Sequence, residues 1–115
     1  MSIRKIEKTE WAAFCDAVSK SLTGKQTEIE VGSLAFGMQI EARSLPLLGV
    51  TYDPRSDIME IALAGLDHLI SHPRELSVDI GPGGLTTFEV VDSDNAHQIV
   101  KLHDPLMLPS YVQGG

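Results

Sequence analysis

Trp11, Phe14, Cys15, Val18 and Leu22 fall at i, i+3, i+4, i+7 and i+11, the spacing of one apolar stripe along a single helix. From Thr27 onward the apolar residues change to a period of two, the period of a strand with one face buried. A chain ordered this way can lay one helix against a sheet and little else. The expected fold class is α+β: an N-terminal helix at about 10–22, then a mostly antiparallel meander of five to seven short strands over about 27–102. Two architectures suit that pattern, a bent SH3-like or Sm-like small barrel, or an open sheet with the helix packed on one face.

Local signals place the elements. Thr9 suits the helix N-cap, Glu10 the first turn where the helix dipole favours an anion, and Gly24 the C-terminal cap. Ile29 and Val31 should share one sheet face, as should Met38, Ile40 and Ala42, then Met59, Ile61 and Leu63, then Leu76, Val78 and Ile80, and finally Phe88 with Val90. Pro46 cannot donate to a ladder, so the chain around it should bend, bulge or lie at an edge. Leu47–Tyr52 then reads as a new strand or as the same strand continuing past that bend. Turns are expected at Asp53–Asp57, Gly81–Gly84 and Asp92–Asn95. Gly65–Arg74 is the least regular stretch and reads as a loop or a short helical turn.

The 115 residues make one domain, 1–115, and 43% of them are apolar. No apolar run is long enough to span a bilayer, and the charged N-terminus leads into no apolar signal core. The lone Cys15, on the apolar helix stripe, fits a buried thiol in a reducing cytoplasm. The net charge of −7 is uneven: residues 1–25 hold five Lys/Arg against three Asp/Glu, and the remainder holds four against thirteen. So acidic a sheet repels a phosphate backbone, which argues against nucleic-acid binding.

Candidate chemistry is sparse. His68 and His72 are four apart, the separation that lets two imidazoles share a metal from one helix face, with Asp67 and His103 as conceivable further ligands. No Glu follows His68, however, and Pro73 disfavours helix at His72, so ordinary loop histidines explain the pair. Gly81-Pro82-Gly83-Gly84 lacks the Lys-Ser/Thr of a phosphate loop and leads into a strand, so it reads as a hairpin turn. Asp92-Ser93-Asp94-Asn95 opens like a calcium loop, but Ala96 and His97 break the pattern. Glu28, Glu30 and Glu41, with Arg43, could gather on one sheet face. Alternating with core residues, they fall where a solvated face belongs. Pro105–Val112 is apolar, bracketed by prolines and out of strand period, so it should pack back on its own body or reach into a second subunit.

Three segments taken together have a familiar look: Glu10-Trp11-Ala12-Ala13-Phe14, Glu41-Ala42-Arg43-Ser44-Leu45-Pro46-Leu47-Leu48-Gly49-Val50 before Asp53-Pro54, and His68-Leu69-Ile70-Ser71-His72-Pro73-Arg74-Glu75-Leu76. The chain resembles a family of short bacterial proteins described only as a domain of unknown function. That resemblance implies a bacterial, cytoplasmic protein and transfers no activity and no functional residue. The sequence therefore favours a non-enzymatic domain without a cofactor, acting through protein contacts or self-association. The alternatives are a small-ligand or metal protein using His68, His72 and Asp67 in the Gly65–Arg74 region, and a minimal enzyme using the sheet carboxylates.

Overall fold

The structure, a computed structural model, describes residues 2–22, 28–34 and 38–108, with side chains described over 3–22 and 45–108. In chain order the elements are β1 (Ser2–Ile6), a 3₁₀ turn (Lys8–Glu10), α1 (Trp11–Ser21), β2 (Glu28–Leu34), β3 (Met38–Asp53), β4 (Ile58–Leu63), β5 (Leu66–Ser71), β6 (Pro73–Gly81), β7 (Gly84–Asp92) and β8 (His97–Leu106). Every strand pair is antiparallel, and the order across the sheet is β1-β6-β7-β8-β2-β3-β4-β5. The fold is α+β with an open sheet. β1 and β5 are its two edges, so the barrel alternative does not hold. Nor is it a simple meander: β2–β5 and β6–β8 are two meanders joined where β8 pairs with β2.

β3 explains the shape. Its first half pairs with β2 as far as Pro46, and its second half pairs with β4 from Leu47 onward. Pro46, lacking an N–H, stands where one partner gives way to the other. The strand runs on past the proline, as one of the two sequence readings allowed. Beyond it, the side of β3 that β2 has left is taken up by the helix. The Ser19 hydroxyl accepts from the Val50 N–H at 3.0 Å and donates to the Val50 carbonyl at 2.9 Å.

The helix stripe is the core. Trp11, Phe14, Cys15, Val18 and Leu22 are all buried, and they meet inward residues of both halves of the sheet. Trp11 packs edge-on against Tyr52 of β3 at 5.2 Å, and Phe14 edge-on against Phe88 of β7 at 5.7 Å. The indole N–H donates to the Ile6 carbonyl at 2.9 Å, which ties β1 to the helix start. Met59, Ile61 and Leu63, with Leu76, Val78, Phe88 and Val90, turn inward as the alternation predicts. Ile80 is partly buried against the same cluster.

Several expectations need correction. β1 precedes the helix, where no strand is expected, and β5 with the start of β6 replaces the loop or helical turn expected at Gly65–Arg74. Thr9 is not the N-cap: it lies inside the 3₁₀ turn, and Glu10 caps α1 without a side-chain bond. The turn is closed instead by the Glu10 N–H donating to the Glu7 carbonyl at 2.8 Å. β8 continues through Pro105 to Leu106, so the first part of the apolar tail packs on its own body, with Leu106 buried opposite Leu85. Gly84, at φ 117°, makes room for that crossing, because a Cβ there would lie 2.5 Å from the Leu106 carbonyl oxygen. The remaining tail, 109–112, and the expected cap at Gly24 lie outside the described residues.

Removing the Ser19 hydroxyl strands the N–H and carbonyl of Val50 on the side of β3 where, among the described residues, no strand pairs. Ser19→Ala should cost about 1–3 kcal/mol in chemical denaturation, and Ser19→Thr much less.

Candidate functional site

β5 is where the sequence points and where the sheet stops. Leu63 and Leu66 face each other across a two-residue turn, Ala64-Gly65, with Gly65 at φ 82°. β5 then pairs with β4 throughout its length, and among the described residues no strand pairs on its other side. Only Ile70 of β5 is buried. Leu69 is 58% exposed, and on β3, two strands away, Leu48 is 63% exposed.

The three sequence candidates stand apart. His68 Nε2 and Gln98 Oε1 lie 2.9 Å apart, a bond that joins β5 to the buried polar residue of β8. Asp67 neighbours His68 on an extended strand, so it faces the opposite way, exposed beside Ala62. His72 sits at the bend between β5 and β6. Four residues of strand span about 13 Å, so the spacing that aligns two imidazoles on a helix separates them here. Among the described residues, no group of three or more His, Cys, Asp or Glu is arranged to hold a metal ion. The side chains of Glu28, Glu30, Glu41 and Arg43 lie outside the described residues.

His72 instead joins a polar cluster that sequence reasoning missed. Asp57, between the Asp53 turn and β4, receives the Tyr52 hydroxyl at 2.7 Å and stands 3.4 Å from the Lys8 ammonium. His72 Nδ1 lies 3.4 Å from its other oxygen, and the His72 N–H donates to the Asp57 carbonyl at 2.9 Å. Asp57 and His72 are both left-handed, at φ 57° and 53°. Asp and His tolerate that region better than most residues, which is the one local signal the sequence offers. Lys8 also lies 5.3 Å from the centre of the Trp11 ring. The cluster borders a shallow depression of about 560 Å³ between the helix start and the Pro54 turn. It clasps three connections together: the helix entry, the β3–β4 turn and the β5–β6 bend.

Comparison with known proteins places the chain. The model of a family of unknown function (DUF5335) matches residues 2–111. The chain belongs to this DUF5335 family. An uncharacterized protein of Aquifex aeolicus (strain VF5) is 37% identical over 110 residues, which cover 95% of this chain and 99% of that protein. No solved structure matches. The family resemblance read from the three sequence segments thus holds, and the relative is bacterial, as that resemblance implies. Among the described residues of this DUF5335 chain, no helix is long and apolar enough to cross a membrane.

Burial and hydrogen bonding set the pH response. The Tyr52 hydroxyl, with help from Lys8 and His72, holds the Asp57 carboxyl below the usual value of 3.8. A carboxylate depressed by folding contributes fully above 3.8, and its contribution disappears as pH falls through the folded value. Burial, then the Asp57 bond and charge, pushes Tyr52 up from 10.0 to about 12, and burial alone pushes the Cys15 thiol up from 9.0 to about 12. Groups raised by folding contribute fully below their unfolded values and lose that contribution as pH climbs to the folded ones. Urea denaturation across pH should therefore show a neutral plateau, an acid limb below about 4 and an alkaline limb between about 9 and 12. Asp57→Asn should flatten the acid limb, and Tyr52→Phe the upper part of the alkaline one. An acid limb unchanged in Asp57→Asn would remove the clasp from the account.

Proposed function

We propose that this protein is a non-enzymatic cytoplasmic domain that acts through protein contacts, and that β5 pairs with β5 of a second copy. The observation that carries the reading is an undefended edge. Exposed sheet edges are usually blunted by Lys, Pro or bulges, because unpaired N–H and C=O groups recruit other strands. β1 follows that rule with Arg4 and Lys5 in five residues. β5, Leu-Asp-His-Leu-Ile-Ser, contains neither Lys nor Pro, pairs with β4 without a register shift, and carries one charge, Asp67.

A second copy is the simplest occupant. Two antiparallel β5 strands related by a two-fold axis need only one self-complementary surface, and each would supply the ladder partner that the other lacks. Leu69 and Leu48 beside it give such a pairing apolar area to cover. The reducing cytoplasm is supported by the single free thiol, Cys15, buried in the core.

Light scattering coupled to size exclusion should give the mass of a dimer for the unmodified chain at micromolar concentration. Leu69→Lys, at a position already in water, should give the monomer mass with the melting temperature of the separated subunit intact. A monomer at every concentration, or a Leu69→Lys variant that still dimerises, would overturn the reading.

A further inference from the structure

The β4–β5 hairpin fixes which backbone groups of β5 face outward. Leu63 and Leu66 close its two-residue turn as a hydrogen-bonded pair, and at the other end the His72 N–H donates to the Asp57 carbonyl at 2.9 Å. Antiparallel ladders alternate, so Leu66, His68 and Ile70, in step with both ends, direct their N–H and C=O groups to β4. Asp67, Leu69 and Ser71 direct theirs the other way, and all three of these residues are exposed. The outward set is bounded on both sides. Gly65 before it lies in the turn at φ 82°, and Pro73 after it has no N–H to give.

Resting on the reading that β5 pairs with β5 of a second copy, we infer that this pairing has one register, centred on Leu69. Bonded pairs across a two-fold axis form only between outward residues, which leaves a short series of choices. Asp67 opposite Leu69 turns Ser71 towards the turn glycine, Gly65. Leu69 opposite Ser71 turns Asp67 towards Pro73. Ser71 opposite itself sets Leu69 against Pro73, and Asp67 opposite itself sets like charges together, which is destabilising. Leu69 opposite Leu69 has none of these defects. It sets Asp67 opposite Ser71 at both ends, and every outward N–H and C=O of both strands finds a partner. It also joins the two leucines on the solvent face, where Leu69 is 58% exposed and has Glu60 of β4 as its other neighbour. On the opposite face His68 stands across from Ile70 of the second copy, a non-bonded pair with Cα atoms about 4.5 Å apart. The edge is its own complement because its outward residues are symmetric about the middle one. It selects a short strand with an aliphatic centre and no acid opposite Asp67.

Nuclear Overhauser measurements on a mixed dimer of ¹³C-labelled and unlabelled chains test the register without any substitution. A contact between the Hα of His68 in one copy and the Hα of Ile70 in the other is expected. A contact of His68 with His68 places Asp67 opposite Leu69, and one of Ile70 with Ile70 places Leu69 opposite Ser71. Either result overturns the register while leaving strand pairing in place. Sedimentation gives a second readout. Ser71→Lys should tighten the dimer about three- to tenfold at low salt, because each new lysine faces Asp67 of the second copy, and adding Asp67→Asn should cancel the gain. Ser71→Asp should loosen the dimer by a similar factor. Within one strand the two positions are about 13 Å apart, so their coupling reports on the second copy. The same gain with and without Asp67 would overturn the register. A chain that is monomeric at every concentration would overturn the pairing itself, and the register with it.

Discussion

The grip of α1 on both halves of one bent sheet is the contact from which the rest of the molecule follows. An open antiparallel sheet of the eight described strands has no reason of its own to fold back upon itself. The helix gives it one. Its stripe touches β3 through Trp11 and β7 through Phe14, so burying that stripe requires both halves at once. Truncating a buried aromatic of this size typically costs about 3–5 kcal/mol, a large share of the stability of a domain this small. Ser19 adds direction to what hydrophobic burial alone would leave free, because its hydroxyl accepts only the stretch of β3 that β2 has vacated.

Curling the sheet around a helix has a structural consequence at its margins. Closure would have removed both edges, but the helix occupies the space between the halves, and among the described residues β1 and β5 pair on one side only. The two ends are treated differently. β1 is short, basic and anchored by the bond from Trp11 to Ile6. β5 is held at its ends, by the two-residue turn after β4 and by the Asp57–His72 clasp, and at its middle by His68 against Gln98. Among the described residues, those contacts fix the strand in position and none of them is a strand paired on its other side.

What the sequence disclosed and what it concealed divide along physical lines. The helix was legible because its stripe repeats at helical spacing with large residues and nothing competes with that pattern. Strands β4, β6 and β7 were legible because one face of each is buried, so alternation survives in the residue types. β5 was not, since an edge strand with only Ile70 buried has almost no alternation to display, and the flanking Gly65 and Pro73 suggest a loop. β1 was hidden likewise: its outward residue is Ile3, 80% exposed, which reverses the expected pattern. The clasp of Tyr52, Asp57, His72 and Lys8 joins three connections that only the fold brings together, and its left-handed residues carry no glycine to announce them. His68 and His72 were visible as a pair, but their meaning depended on helical spacing, and the chain there is extended.

The claim most open to a direct check is that the two halves of the sheet form one cooperative unit through the helix. Native-state amide hydrogen exchange on Phe14→Leu, a trimmed but still apolar contact to β7, would read it strand by strand. If the helix couples the halves, protection should fall by the same factor in β3–β4 as in β6–β8, although Phe14 pairs its ring with the second half. Loss of protection confined to β6–β8, with β3–β4 unchanged, would show two independent units and contradict the account.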